Sequence, residues 1–154
     1  MSISERAEAQ RKKLVRVLLE SENTLSLATV SQDGSPRVCP LFYITRDTFR
    51  LYWVSAESSE HSMNIAVSNE VSIAIYRSTE RWRKICGLQM RGHAGVVLDP
   101  HLRKEIISDY AARFQLGRLL RLGVSRSALF EFIPSWIRYI DNSRHFGYKF
   151  ELTT

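Results

Sequence analysis

Two cysteines in 154 residues, Cys39 and Cys86, are too few for a disulfide-stapled secreted scaffold, and neither sits at a metal-ligand spacing. Both are expected to be free thiols in a reducing compartment. No apolar run approaches the roughly 20 residues that cross a bilayer as a helix. The opening MSISERAEAQRKK is polar where a secretory leader would be apolar, so the expectation is a soluble, cytoplasmic protein without a membrane partner. The four histidines, His61, His93, His101 and His145, form no pair at ligand spacing with a carboxylate, which argues against a metal site. Repeats, low-complexity tracts and long linkers are also missing. A single domain over residues 1–154 is the expectation, with 44% hydrophobic residues to build its core.

What is present is positive charge, a formal +6 with a pI near 9.6. That favours anionic partners in general. The cations are dispersed, however: Arg11, Lys12, Lys13 and Arg16 in the first segment, Arg81, Arg83 and Lys84 in a loop, and Arg113, Arg118, Arg121 and Arg126 further on. No tract interleaves them with aromatics, as a nucleic-acid surface would, so no nucleic-acid partner is expected.

Ser2 with Glu5 reads as a capping box, and Leu14, Val15, Leu18 and Leu19 recur at helical spacing, predicting a helix to about Glu20. TLSLATV (24–30) alternates as a strand, Asp33-Gly34 makes a tight turn, and RVCPLFYI (37–44) returns antiparallel. A turn over Thr45 to Thr48 leads to the strand FRLYWVS (49–55). Serines and a glutamate then precede a short helical pattern within 58–68, followed by the strand EVSIAIY (70–76) and a polar basic loop. ICGLQMRGHAGVVL (85–98) predicts a long strand, bent or bulged at Gly87 and Gly92. Asp99-Pro100 opens a helix to about Phe114, and Gly117 and Gly123 bracket a second helical turn, the pair filling 99–123. ALFEFIP and WIRYID close the chain as strands within 127–150. The pattern predicts a mainly β protein, a small antiparallel barrel of six or seven strands with appended helices.

Three stretches, DGSPRVCPLFYI, VSAESSEHSMNIAVSNEVSIAIY, and GLQMRG with the later WIRYIDNSRHFGYK, occur on these elements in an order that resembles the pyridoxamine 5'-phosphate oxidase-like, FMN-binding split β-barrel family. They run from about Thr24 to Lys149, and DNSRHFGYK is similar to a small bacterial branch of that family. The resemblance implies a homodimer with an FMN in each of two grooves between the subunits. Cys39, Pro40, Leu41 and Phe42 would run along the isoalloxazine ring. Proline at 40 fits either a ligand-facing irregularity or an ordinary edge strand.

The same resemblance makes Ser55 to His61 the phosphate-binding turn, and the residues support it. Ser55, Ser58 and Ser59 bring hydroxyls and unpaired N–H groups to a helix start, where an anion is favoured, and His61 adds a further donor. An ordinary serine cap is the alternative. Two family cations are replaced, by Ile44 and Glu60, and Lys84 and Arg91 are the first candidates to compensate. Gln89 could pair with the flavin's polar edge, and Asn142 lies where the family reaches across the dimer. Trp136 reads as core or dimer interface. The implied function is an FMN-dependent oxidoreductase acting on a small molecule or with reduced nicotinamide. The alternative is a non-catalytic holder of flavin, haem or deazaflavin.

Overall fold

The computed structural model describes residues 3–46 and 49–154, apart from the side chains of Arg118, Leu119, Arg121 and Ser125. The expected capping role of Ser2 and the second half of the Thr45–Thr48 turn lie outside the described residues. The elements in order are α1 (Ile3–Ser21), β1 (Thr24–Val30), β2 (Pro36–Phe42), β3 (Ile44–Thr45), β4 (Leu51–Ser55), α2 (Glu60–Val67), β5 (Glu70–Tyr76), β6 (Cys86–Val96), α3 (Pro100–Arg113), α4 (Arg118–Arg126), β7 (Ala128–Asp141) and β8 (Lys149–Thr153). A 3-10 turn, Trp82–Lys84, interrupts the basic loop between β5 and β6. Among the described residues, no helix is long and apolar enough to cross a membrane.

All described strand pairs are antiparallel and build one sheet in the order β2-β1-β5-β6-β7-β4-β3, with β8 also pairing β7. The alternation predicted for β1 holds: Leu25, Leu27 and Thr29 turn inward, with Ser26 and Ala28 on the other face. The sheet curls so that its two edge regions approach each other, which is the split β-barrel expected. Its interior is filled by Leu25, Leu27, Ile73, Ile75, Leu88, Met90, Trp53, Phe130, Phe132 and Ile137. α1 adds Val15, Leu18 and Leu19 to that core, and the Tyr43 hydroxyl donates to the Leu19 carbonyl at 2.7 Å. On the opposite face of β4 and β7, α3 contributes Ile106 and Tyr110 to a second cluster with Ile44, Tyr52 and Leu129. Among the described residues one buried donor, Trp53 Nε1, has no acceptor, although its ring stacks on Phe130 at 5.8 Å.

Local chemistry sets the turns and helix starts. Gly34 takes φ +82° between β1 and β2, while Asp33 accepts from Ser31 Oγ at 2.6 Å and from the Ser35 amide at 3.0 Å. Asp99 caps α3 by accepting from the His101 amide at 2.9 Å, with Pro100 in the first turn, as the sequence predicts.

Several boundaries differ from the sequence reading: β4, expected from Phe49, starts at Leu51 because Phe49 takes φ +63°, outside the strand region, and β6 spans Cys86–Val96 within the expected 85–98. The strand expected over 37–44 ends at Phe42, and Ile44 begins β3. The second helical turn continues through Gly123 to Arg126, since a single glycine weakens a helix without breaking its hydrogen bonds. KFELT adds β8 beyond the predicted C-terminal limit. ALFEFIP and WIRYID are one continuous strand, β7, not two. Proline has no N–H for a ladder, which is why Pro134 reads as a break. Here it sits opposite Gly92 at a register shift between Arg91 and Gly92, so β7 passes through with a bulge at Ser135.

Candidate functional site

β4 ends at Ser55 and α2 begins after Ser59, and their side chains converge on one imidazole nitrogen. Ser55 Oγ lies 2.6 Å from His61 Nε2, Ser59 Oγ 3.1 Å from the same atom, and the two hydroxyls are 3.1 Å apart. Ser59 Oγ also donates to the buried Ser62 Oγ at 2.7 Å. Ser59 is the N-cap residue of α2, yet its side chain makes no capping hydrogen bond. The first-turn N–H groups therefore keep their capacity to bind an anion, and the helix dipole adds to it. Inside the fold, Asn64 Nδ2 donates to Thr29 Oγ1 at 3.0 Å, both residues being buried, and this bond fixes α2 against β1.

The other side of this cradle is the edge strand β2. Arg37 reaches from it to Glu60, Nε to Oε1 2.8 Å, so a guanidinium stands beside the turn. Sequence reading missed Arg37. Its role depends on β2 approaching α2 across the split, which no local pattern encodes; the opposite sign of Glu60 was the available clue. Cys39 is half-buried beneath it, and burial, with Glu60 second, pushes its thiol pKa up. Cys39 and Cys86 are both free thiols.

His61 titrates within this cluster. Partial burial lowers its pKa from 6.5, and the Glu60 charge opposes that shift. A folded-state pKa below the unfolded one means stability is fully present above about pH 6.5 and is lost as pH falls through the folded value. Thermal melts between pH 7.5 and 5 should show the midpoint falling toward acid, and falling less in His61→Gln. Equal acid sensitivity in the two proteins would assign the loss to other groups.

The remaining candidate residues, apart from Ser58, fall in three other places. Pro40 keeps unbroken register opposite Ser26, so it is a proline on an edge strand with no bulge. Leu41 turns inward, whereas Phe42 is exposed, its ring 5.1 Å from Phe114 and its carbonyl 3.5 Å from the Tyr110 hydroxyl. Ser58 is exposed on the turn itself.

Gln89 and Arg91 lie on the outer face of the sheet, lining a groove of about 450 Å³ floored by Ser26, Ala28, Ser72 and Ala74. Arg91 stacks on Trp136 at 4.7 Å and Arg138 does so at 4.9 Å; Arg138 also donates to Gln89 Oε1 at 3.4 Å. Trp136 is thus not in the core but half-buried on this face, its Nε1 donating to Glu151 at 3.1 Å.

Lys84 and Asn142 are at the opposite end of the barrel. Asn142 joins two loops there, its amide group donating to the Trp82 carbonyl and its side-chain oxygen accepting from the Gly147 amide, each at 3.1 Å. Ser55 pairs with Ala128, whereas Asp141 pairs with Cys86. The two ends of β7 are thirteen residue steps apart, about 43 Å along an extended strand. Within one chain Lys84 and Asn142 do not join the Ser55–His61 cradle.

A half-open antiparallel barrel with hydroxyls, an imidazole and a guanidinium gathered where the sheet splits defines a split-barrel protein. Residues 12–141 match the family pattern of pyridoxamine 5'-phosphate oxidase, and the chain belongs to that family. Several solved structures share the fold. Campylobacter jejuni ChuZ superposes with TM-score 0.79 at 18% identity, over 95% of this chain and 60% of that one. A heme binding protein from Mycobacterium smegmatis gives 0.71 at 18%, over 91% and 56%. HutZ, described as a heme storage protein from Vibrio cholerae, gives 0.65 at 22%, over 82% and 89%. No curated protein matches the chain.

Proposed function

We propose that this chain binds FMN, with the flavin's phosphate between β2 and the β4–α2 turn, and acts as a homodimeric oxidoreductase on a small molecule. The observation that carries the reading is the uncapped start of α2, with Ser55, Ser59 and His61 gathered beside it. The donor set suits a phosphate dianion: hydroxyls, helix N–H groups, and Arg37 within reach, with Glu60, paired to Arg37, as an opposing charge. FMN would supply hydride chemistry, with reduced nicotinamide as a candidate donor, while the protein's residues bind and orient it. In a dimer, Lys84 and Asn142 could approach the cradle from the second subunit. Exposed Val38 and Phe42 on the edge strand give that subunit an apolar surface to cover. Free thiols suit a reducing compartment, which is our basis for a cytoplasmic location.

The test is titration of the purified protein with FMN and with riboflavin, followed by flavin fluorescence and sedimentation. FMN binding at least about tenfold tighter than riboflavin, the effect expected of one good charge-assisted contact, supports the phosphate cradle. Equal affinities, or none, overturn it.

A second reading is a non-catalytic haem holder. Its motive is the shared fold with structures described as binding or storing heme, together with His93 and Arg91 lining an outer groove of about 480 Å³. A Soret shift with haemin that His93→Ala removes would favour it over FMN.

A further inference from the structure

The Arg37–Glu60 ion pair brings to the cradle a carboxylate, whose charge works against an anion, together with a guanidinium that favours one. It spans the split between β2 and the first residue of α2, and its side chains are 44% and 60% exposed. A pair so open to water contributes little to folding. Each partner, however, bears directly on a bound phosphate. Glu60 is the first residue of α2, and its carboxylate, held by Arg37, is near enough for its charge to act on the His61 imidazole, so it opposes a ligand of the same sign. Arg37 is the cation that reaches this turn, and Glu60 already holds its Nε–H. A planar guanidinium can serve a carboxylate or a phosphate with the same fork, so the two anions compete for it.

We infer that Glu60 is an internal competitor for the ligand's phosphate, and that Arg37 changes partner from carboxylate to phosphate when the ligand enters. The consequence is a site that accepts a phosphorylated flavin reversibly and exchanges it, in place of one that holds the flavin as a permanent group. The inference rests on the FMN reading above and adds the residue pair that sets how tightly the site holds its ligand.

The experiment measures dissociation constants for FMN, riboflavin and inorganic phosphate in the unaltered protein, Glu60→Gln, Arg37→Met and the double variant, with a thermal melt of each. Glu60→Gln keeps a hydrogen-bonding side chain at the helix start and removes only the charge. FMN and phosphate should bind at least about tenfold tighter to it, with riboflavin unchanged, since a released guanidinium forms a charge-assisted contact. Adding Arg37→Met to Glu60→Gln should reverse that gain.

If Glu60→Gln leaves FMN within twofold of the unaltered protein, or tightens riboflavin equally, the competitor role is overturned while FMN binding stands. If Arg37→Met has no effect in the Glu60→Gln background, Arg37 merely screens Glu60 and the exchange of partners is overturned. Failure of all four proteins to bind FMN or phosphate would overturn the FMN reading itself, and this inference with it.

Discussion

Gly92→Ala should unfold far more readily than Gly95→Ala, although the two glycines are three residues apart on the same strand. A Cβ on Gly92 would lie 2.1 Å from the Ile133 carbonyl oxygen and 2.8 Å from Pro134 Cα, both backbone atoms that cannot rotate away. The same atom on Gly95 meets nothing within 4 Å. Relief at position 92 would require β6 and β7 to separate where Pro134 passes the bulge, on strands that carry Met90, Ile137 and Phe132 into the core. Overpacking against backbone in this setting costs on the order of 3 kcal/mol. For a chain of this size that is a fall of roughly 10 °C in the thermal midpoint. Gly95→Ala should melt at or slightly above the parent temperature, because alanine loses less backbone freedom than glycine on folding. Circular dichroism melts of both variants decide it, and similar midpoints would show that the bulge can relax.

Ser59→Glu should abolish tight FMN binding without unfolding the protein. Ser59 Oγ is within 3.1 Å of both Ser55 Oγ and His61 Nε2, so the substitution removes a donor and places a carboxylate on the cradle. Losing a hydrogen bond to a charged group costs about 1.5–3 kcal/mol before any repulsion is counted, so FMN should weaken by on the order of 100-fold or more. Folding should tolerate the change because the Ser59 side chain does not cap α2, and acidic groups at a helix start are favoured by its dipole. Riboflavin is the control. If it weakens as much as FMN, the turn is not a phosphate site.

Much of the barrel could be read from periodicity because its strands are half-buried. β1 and β5 alternate cleanly, and Asp33-Gly34 marks their neighbouring hairpin through chemistry that acts over five residues. Reading failed where one strand's conformation depends on another's. Pro134 looks terminal until Gly92 is placed opposite it, and Gly123 looks like a stop although α4 continues through it. The site divides in the same way. Ser55, Ser59 and His61 are neighbours in sequence and were found together, whereas Arg37 arrives from 23 positions before Glu60 through the curl of the sheet. Trp136 reads from its size and aromaticity as core or dimer interface; its strand position turns it outward between two arginines, which removes the first of these.

β7 holds register with β6 along most of its length, with β4 over its first five residues and with β8 near its end. Ser55 is joined to this spine by pairing with Ala128, whereas Arg37 and Cys39 belong to β2, which among the described residues pairs only with β1. The two walls of the cradle therefore differ in how freely their amides can exchange with solvent. Peeling β2 from β1 breaks one ladder and leaves the rest of the sheet intact; moving Ser55 requires disturbing the strand on which three others depend. Deuterium uptake should reach β2 before the β4–β7 ladder, which makes the edge strand the hinged wall of the cradle we propose.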